Sequence, residues 1–301
     1  MKNRYVTLGA ILLATFCFFV SCTVAYVMWE TPQKVTKNKT IVTSFYPVYI
    51  ATMNIVDGAD VNLKNLSEPK TGCLHDFQLT TQDMKLISSS DIFVANGAGM
   101  ESFLGTVVKE YKNVKIIDSS KGIELIKEDG EKNAHTWMGT YTYRQQVKNI
   151  AKQLAKADPD NANVYLKNAK KYDEKLKKIQ KREKELLAKN SAKNIIVFHE
   201  AFEYTAKGLN LDVKYALDLD EERQVSAGEI ADVLTHIKEN NVKYIFAEKK
   251  YAKSVGDAVE RESNVKVIYL NPLNRGKYEK DAYIKGITQN LDKIEKTMIN
   301  N

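Results

Sequence analysis

The 301-residue chain contains four histidines: His75, His135, His199 and His236. Neutral imidazole is a good ligand for zinc and other first-row divalent ions, and three imidazoles with one further donor complete a tetrahedral site. His75 lies in the loop Gly72-Cys73-Leu74-His75-Asp76-Phe77, which leads into a helix starting near Thr80. His135 lies in the polar loop Asn133-Ala134-His135-Thr136-Trp137, and His199 directly follows an expected strand at 195–198. Loops at the carboxyl ends of strands are where open α/β sheets bind ligands. The separations are 60 and 64 residues, with no HExxH or CxxC motif to tie the histidines together. Spacing therefore leaves two readings open: one shared metal site, or three loop histidines touching solvent. His236 falls inside a helical pattern at 226–239 and reads as a surface or packing residue.

Other chemistry has less support. No GxGxxG, Walker A or GxSxG sequence occurs. Cys73, two residues before His75, could serve as a thiol nucleophile or a soft metal ligand, but adjacency in sequence does not establish contact in space. The three cysteines, Cys17, Cys22 and Cys73, are too few for a disulfide framework. Lys and Arg number 45 against 38 Asp and Glu, a net charge of +7, and the lysines are dispersed. That pattern does not form a nucleic-acid stripe. With 44% apolar and 28% charged residues the chain can build packed cores, which excludes a disordered or fibrous protein.

The elements that must position these residues follow from the patterning. Lys2 and Arg4 precede a charge-free run, 5–29, of the kind that exports or anchors a protein. Ser21-Cys22 stands where a lipobox places its modified cysteine, with Phe19 where Leu is usual; the run is also long enough for an uncleaved helix. Either anchor leaves everything after about Glu30 outside the cytoplasm. The expected organisation is an anchor over 1–30, a tether over 31–40, an N-terminal lobe over 41–157, a bridging helix over 158–189 and a C-terminal lobe over 190–301. Strands at 41–44, 61–66, 92–95 and 114–117 alternate with helical segments, as do strands at 195–198, 244–247 and 265–270. This alternation argues for an α/β fold in which each lobe is a mostly parallel sheet with flanking helices. Between the lobes, Tyr165, Ala169, Tyr172, Leu176 and Ile179 recur at steps of four and three, with no Gly or Pro from 161 to 188. They form a narrow apolar seam on a long helix of roughly 40 Å. Glu183 interrupts the seam, and a coiled-coil dimer is the alternative use for it.

Taken in order, the motifs resemble the zinc/manganese solute-binding proteins of bacterial ABC importers. Gly72-Cys-Leu-His-Asp-Phe-Gln-Leu-Thr-Thr-Gln-Asp-Met84 is similar to the family's first ligand motif. Ser90-Asp-Ile-Phe-Val-Ala-Asn-Gly-Ala-Gly-Met-Glu101 is similar to its strand, Asn-Gly, Glu block. Asn133-Ala-His-Thr-Trp137 resembles its Asp-Pro-His-x-Trp motif, and Phe198-His-Glu-Ala-Phe-Glu-Tyr204 its His-x-Ala-Phe-x-Tyr segment. Phe246-Ala-Glu248 and Leu270-Asn-Pro-Leu273 are similar to two C-terminal blocks.

The resemblance implies two lobes bridged by one helix and a metal buried between them. It implies His75, His135 and His199 as ligands, with Asn271 where the family usually has Asp. A neutral amide is a poorer donor than a carboxylate, so Asn274, Glu248 or water are the other candidates for the fourth position. The family implies zinc, favoured over manganese by imidazole at the third position. It also implies an ABC permease as partner, membrane attachment through Cys22 or an N-terminal helix, and no enzymatic activity. The sequence departs from the family at Leu74, at Asn133-Ala134 and at Asn271. Two rival readings stand beside this one: a zinc hydrolase using Glu200 or Asp76 as base, and a surface adhesin built on the same fold.

Overall fold

The computed structural model describes residues 2–30, 38–72, 74, 77–128, 130–189, 191–219 and 223–299. His75, Cys73 and Asp76 lie outside the described residues. The chain divides into two compact units, Met1–Asn38 and Lys39–Asn301. The first carries helix α1 (Lys2–Glu30), on which Cys17 and Cys22 are exposed thiols. Among the described residues no helix is long and apolar enough to cross a membrane.

The second unit opens with β1 (Lys39–Thr43), α2 (Tyr46–Ile55), β2 (Val61–Asn65), α3 (Thr81–Ser88), β3 (Ile92–Ala95), α4 (Leu104–Glu110) and β4 (Lys115–Asp118). A short hairpin, β5 (Lys127–Glu128) and β6 (Glu131–Lys132), leads to a 3-10 turn at Thr136–Met138 and then to α5 (Thr140–Ala157). The long helix α6 (Ala162–Lys189) follows. Beyond it come β7 (Asn194–Val197), α7 (Phe202–Gly208), β8 (Asp212–Ala216), α8 (Ala227–Glu239), β9 (Tyr244–Glu248), α9 (Lys249–Glu262), β10 (Lys266–Leu270) and α10 (Ala282–Met298). The Thr80 and Ser226 side chains each accept from the backbone N–H three residues on, and Asp83 and Glu229 return the bond. Both helices therefore start on complete capping boxes.

Among the described residues two four-stranded parallel sheets form, in the orders β2-β1-β3-β4 and β10-β9-β7-β8. Counted from the start of each lobe, the two orders are the same, so the lobes repeat one topology. The strand order reverses between β1 and β3 and again between β7 and β9, which puts the ligand-binding crevice of each sheet at those carboxyl ends. The edge strand β8 escapes the sequence pattern because it is only partly buried and lacks a run of β-branched residues.

The α6 seam is consumed within the chain. Tyr165, Ala169, Tyr172, Leu176 and Ile179 are buried, and the helix packs on α5, α2 and α10. Glu183 belongs to the same buried face and accepts a 2.5 Å bond from Thr140 Oγ1. One apolar cluster runs from Ile41 and Phe93 through Trp137, Tyr143 and Leu176 to Val197, Phe246 and Leu270, so both sheets share a core. Polar ties reinforce it across the lobes. Trp137 Nε1 donates to Pro272 O (2.9 Å), Tyr283 Oη to Trp137 O (2.7 Å) and Tyr46 Oη to Lys277 O (2.9 Å).

Candidate metal centre

His199 is placed by the sheet itself. It stands two residues beyond β7, after Phe198, whose N–H donates to Phe246 O. Glu248 ends the neighbouring strand β9. The two side chains thus flank the point where the second sheet reverses its order. His135 is placed by loops. It precedes the 3-10 turn, and its loop is clamped from both lobes. Asn96, at the carboxyl end of β3, donates to Ala134 O (2.9 Å), and Tyr204 of α7 donates to Asn133 O (2.8 Å). Burial pushes the Tyr204 hydroxyl up to about 12, so it remains a neutral donor.

The strand, Asn-Gly, Glu block has a positioning role in this arrangement. Glu101 is buried and accepts from Asn96 N (2.6 Å) and Gly97 N (3.0 Å), closing the loop after β3. Burial pushes its carboxyl up to about 7. Gly97 has φ +77°, and a Cβ there would lie 1.9 Å from Asp118 Oδ1, so no other residue fits.

His135 and His199 come together. Both are fully buried, and their rings lie 5.0 Å apart at an interplanar angle of 86°. Two imidazoles bound at about 2.05 Å to one tetrahedral ion hold their centroids about 5.2 Å apart. The centroid separation of the observed pair is compatible with a shared ion. Nδ1 of His135 lies 3.0 Å from Glu200 Oε1 and 3.1 Å from Asn133 Oδ1. Two acceptors at one nitrogen place a proton on it, and in the neutral ring Nε2 then carries the lone pair. A carboxylate behind an imidazole is the arrangement that orients metal ligands and raises their basicity. Asn133, a departure from the family's Asp-Pro, braces this partner, because its Nδ2 donates to Glu200 O and to Glu203 Oε2, each at 2.9 Å.

The candidates for the fourth position have different surroundings. Asn271 Oδ1 accepts from Leu273 N at 2.8 Å, and Asn271 N and O exchange bonds of 2.8 Å with the Asn290 side chain. Its visible work is to shape the turn whose Pro272 carbonyl receives Trp137. Asn274 is 2% exposed, and a Cβ added at Gly72 would lie 4.0 Å from its Nδ2, so it sits against the loop that carries His75. Glu248 is 5% exposed; its Oε2 lies 3.9 Å from His199 Nδ1 and its Oε1 3.2 Å from Arg275 Nη2. Among the described residues no three His, Cys, Asp or Glu side chains form a group set to hold a metal ion. His236 is elsewhere, stacked on Tyr215 at 4.6 Å as a packing residue.

Sequence patterning did not find Arg275 or the bracing role of Asn133 and Asn96. Their only sequence signal is position within motif blocks, beside residues that carry more familiar chemistry.

The chain is similar to known proteins over nearly all of this unit. The family described as ZnuA, zinc-uptake complex component A, periplasmic, matches residues 41–297. The high-affinity zinc uptake system protein ZnuA of Bacillus subtilis is 32% identical over 86% of this chain and 87% of its own. The zinc-binding protein AdcA of Streptococcus pyogenes is 29% identical over 92% of this chain, which spans 60% of that relative's length. Among solved structures, the SBP FpvC of Pseudomonas aeruginosa in complex with Mn2+ superposes with a TM-score of 0.77 at 25% identity. That match covers 87% of this chain and 98% of the other.

Proposed function

The chain belongs to the family of periplasmic zinc-uptake component A proteins, and from that premise we propose that it captures a divalent transition metal, zinc ahead of manganese, and delivers it to an ABC importer permease. The family is a periplasmic transport component, so the working location is outside the cytoplasm. His75, His135 and His199 would bind the ion as neutral imidazoles. The fourth donor would come from Asn271, whose oxygen keeps a second lone pair beside the bond from Leu273 N, or from Asn274, Glu248 or water. The two ligand pairs would come from two lobes, with boundaries near 157 and 190 on either side of the bridging helix. Membrane attachment would run through a lipid on Cys22, whose thiol is exposed on α1.

One observation carries this reading: two fully buried imidazoles from different lobes, 5.0 Å apart and perpendicular, one of them at the carboxyl end of β7. Burying two imidazoles edge to face without an ion gains little, whereas a shared cation explains both the burial and the geometry. The mechanism is coordination. Glu200, the residue best placed in sequence to act as a hydrolytic base, faces His135 Nδ1 and serves that ligand.

Competition with a chromophoric chelator tests the proposal. The wild-type protein should bind one zinc, and His199→Ala should lose tight binding. Affinity should fall between about pH 7.5 and about pH 5, because imidazole must be neutral to ligate and titrates near ~6.5. One zinc held equally tightly by the alanine variant, or equally at both pH values, would sink the assignment.

A further inference from the structure

One guanidinium engages two of the candidates for the fourth position, Glu248 and Asn274. Arg275 Nη2 pairs with Glu248 Oε1 at 3.2 Å, and Arg275 Nε donates to Asn274 Oδ1 at 3.1 Å. Its position is built on several sides. The guanidinium lies 5.8 Å over the Tyr251 ring, and a Cβ at Gly72 would come within 3.4 Å of Nη2, so Arg275 packs on the loop from the opposite lobe. The two carboxylates near the imidazoles therefore differ. Glu200 approaches His135 Nδ1 at 3.0 Å, whereas Glu248 stands 3.9 Å from His199 Nδ1, beyond hydrogen-bond reach. Arg275 is permanently charged and presents a planar fork that suits a carboxylate.

We infer that Arg275 sets the affinity of the metal site by engaging Glu248 and Asn274 with its own positive charge, so that neither oxygen acts fully on the bound ion or on His199. The inference rests on the proposed metal site. A carboxylate that is paired with a guanidinium donates weakly to a second cation, and the guanidinium itself repels that cation. The result is a site that captures its ion yet remains able to release it, as delivery to a permease demands. The chain has Asn at 271 and 274 and keeps one acid, Glu248, 3.9 Å from His199 Nδ1, and Arg275 pairs with that acid.

The experiment measures zinc affinity by chelator competition, and the visible absorption of the Co2+ form, for the wild type, Arg275→Ala, Arg275→Lys, Glu248→Gln and the Arg275→Ala/Glu248→Gln double variant. Arg275→Ala should tighten zinc by about tenfold or more and change the Co2+ spectrum as an oxygen donor strengthens. Arg275→Lys keeps the charge without the fork and should fall between. In the Glu248→Gln background the gain from Arg275→Ala should shrink to the part that comes from Asn274 and from the guanidinium's own charge. Unchanged or weaker binding by Arg275→Ala overturns the inference, as does a gain that persists undiminished without the carboxylate. If the alanine variant does not fold, the lysine variant decides alone, and wild-type affinity and spectrum in it are the overturning result. Wild-type protein that binds no zinc, or binds it independently of His199, is a failure of the site assignment instead.

Discussion

At the residue scale, the centre depends on side chains behind the ligands as much as on the ligands. Glu200 follows His199 in sequence yet serves His135, because successive residues leaving a strand end point in different directions. Replacing it by Gln keeps the volume and removes the charge that holds the Nδ1–H tautomer. Zinc affinity should fall about 10- to 100-fold by chelator competition, the usual cost of losing such a partner. The melting temperature of the metal-free protein should barely move, since the Glu200 side chain is 31% exposed. An unaltered affinity would show that the contact does not orient the ligand. His135 and His199 could be picked out from the sequence because histidine is scarce and both sit at loop or strand ends. The partners of His135 Nδ1 could not, because Glu and Asn are common and only folding chooses among them.

At the element scale, α6 shows what periodicity reveals and what it hides. Its four-and-three repeat marks a buried seam, and the capping boxes at Thr80 and Ser226 mark helix starts within a residue. The repeat says nothing about the partner, which proves to be α5, α2 and α10 of the same chain. Glu183 interrupts the apolar pattern but lies in the seam, held by Thr140, and burial pushes its carboxyl up to about 7. A carboxyl whose folded value exceeds its unfolded value binds more protons folded than unfolded between the two. Stability from this group is therefore full at acidic pH and is lost as pH rises from about 4.5 through about 7. Glu101, also pushed up to about 7, acts in the same direction. Glu183→Gln should flatten part of the decline and raise the melting temperature near pH 8 by about 2–4 °C, the shift of ~1 kcal/mol in a domain of this size. A scan of melting temperature against pH checks it, and a parallel, unshifted curve would refute it. The same sign separates two effects of acid: weakened metal binding near pH 5 should occur in a protein that these carboxyls make more stable.

At the scale of the whole Lys39–Asn301 unit, the lobes are locked rather than hinged. They share one apolar core, α6 lies along both, and Trp137, Tyr283 and Tyr46 tie lobe to lobe through backbone carbonyls. Removing the ion should therefore change the radius of gyration by less than about 1 Å in solution scattering, in contrast with a wide hinge closure. Adding zinc at about 1,000 times its Kd should still stabilise the fold by about 4 kcal/mol, visible as a rise in melting temperature. A large contraction on zinc addition would contradict the shared core.

Sequence alone determined the alternation of strands and helices, the long amphipathic helix and three candidate imidazoles, because hydrophobic period, caps and scarce residue types are local signals. It pointed to Asn271 through a motif position, and the folded chain adds that this amide also shapes a turn. Only tertiary structure decided that the two sheets repeat one strand order, that the seam of α6 is spent within the chain, that Glu200 meets His135 and that Arg275 meets Glu248. These are contacts between residues tens to hundreds of positions apart. Such a pairing is chosen by how packed elements exclude water and satisfy buried polar groups, and no local pattern encodes that choice.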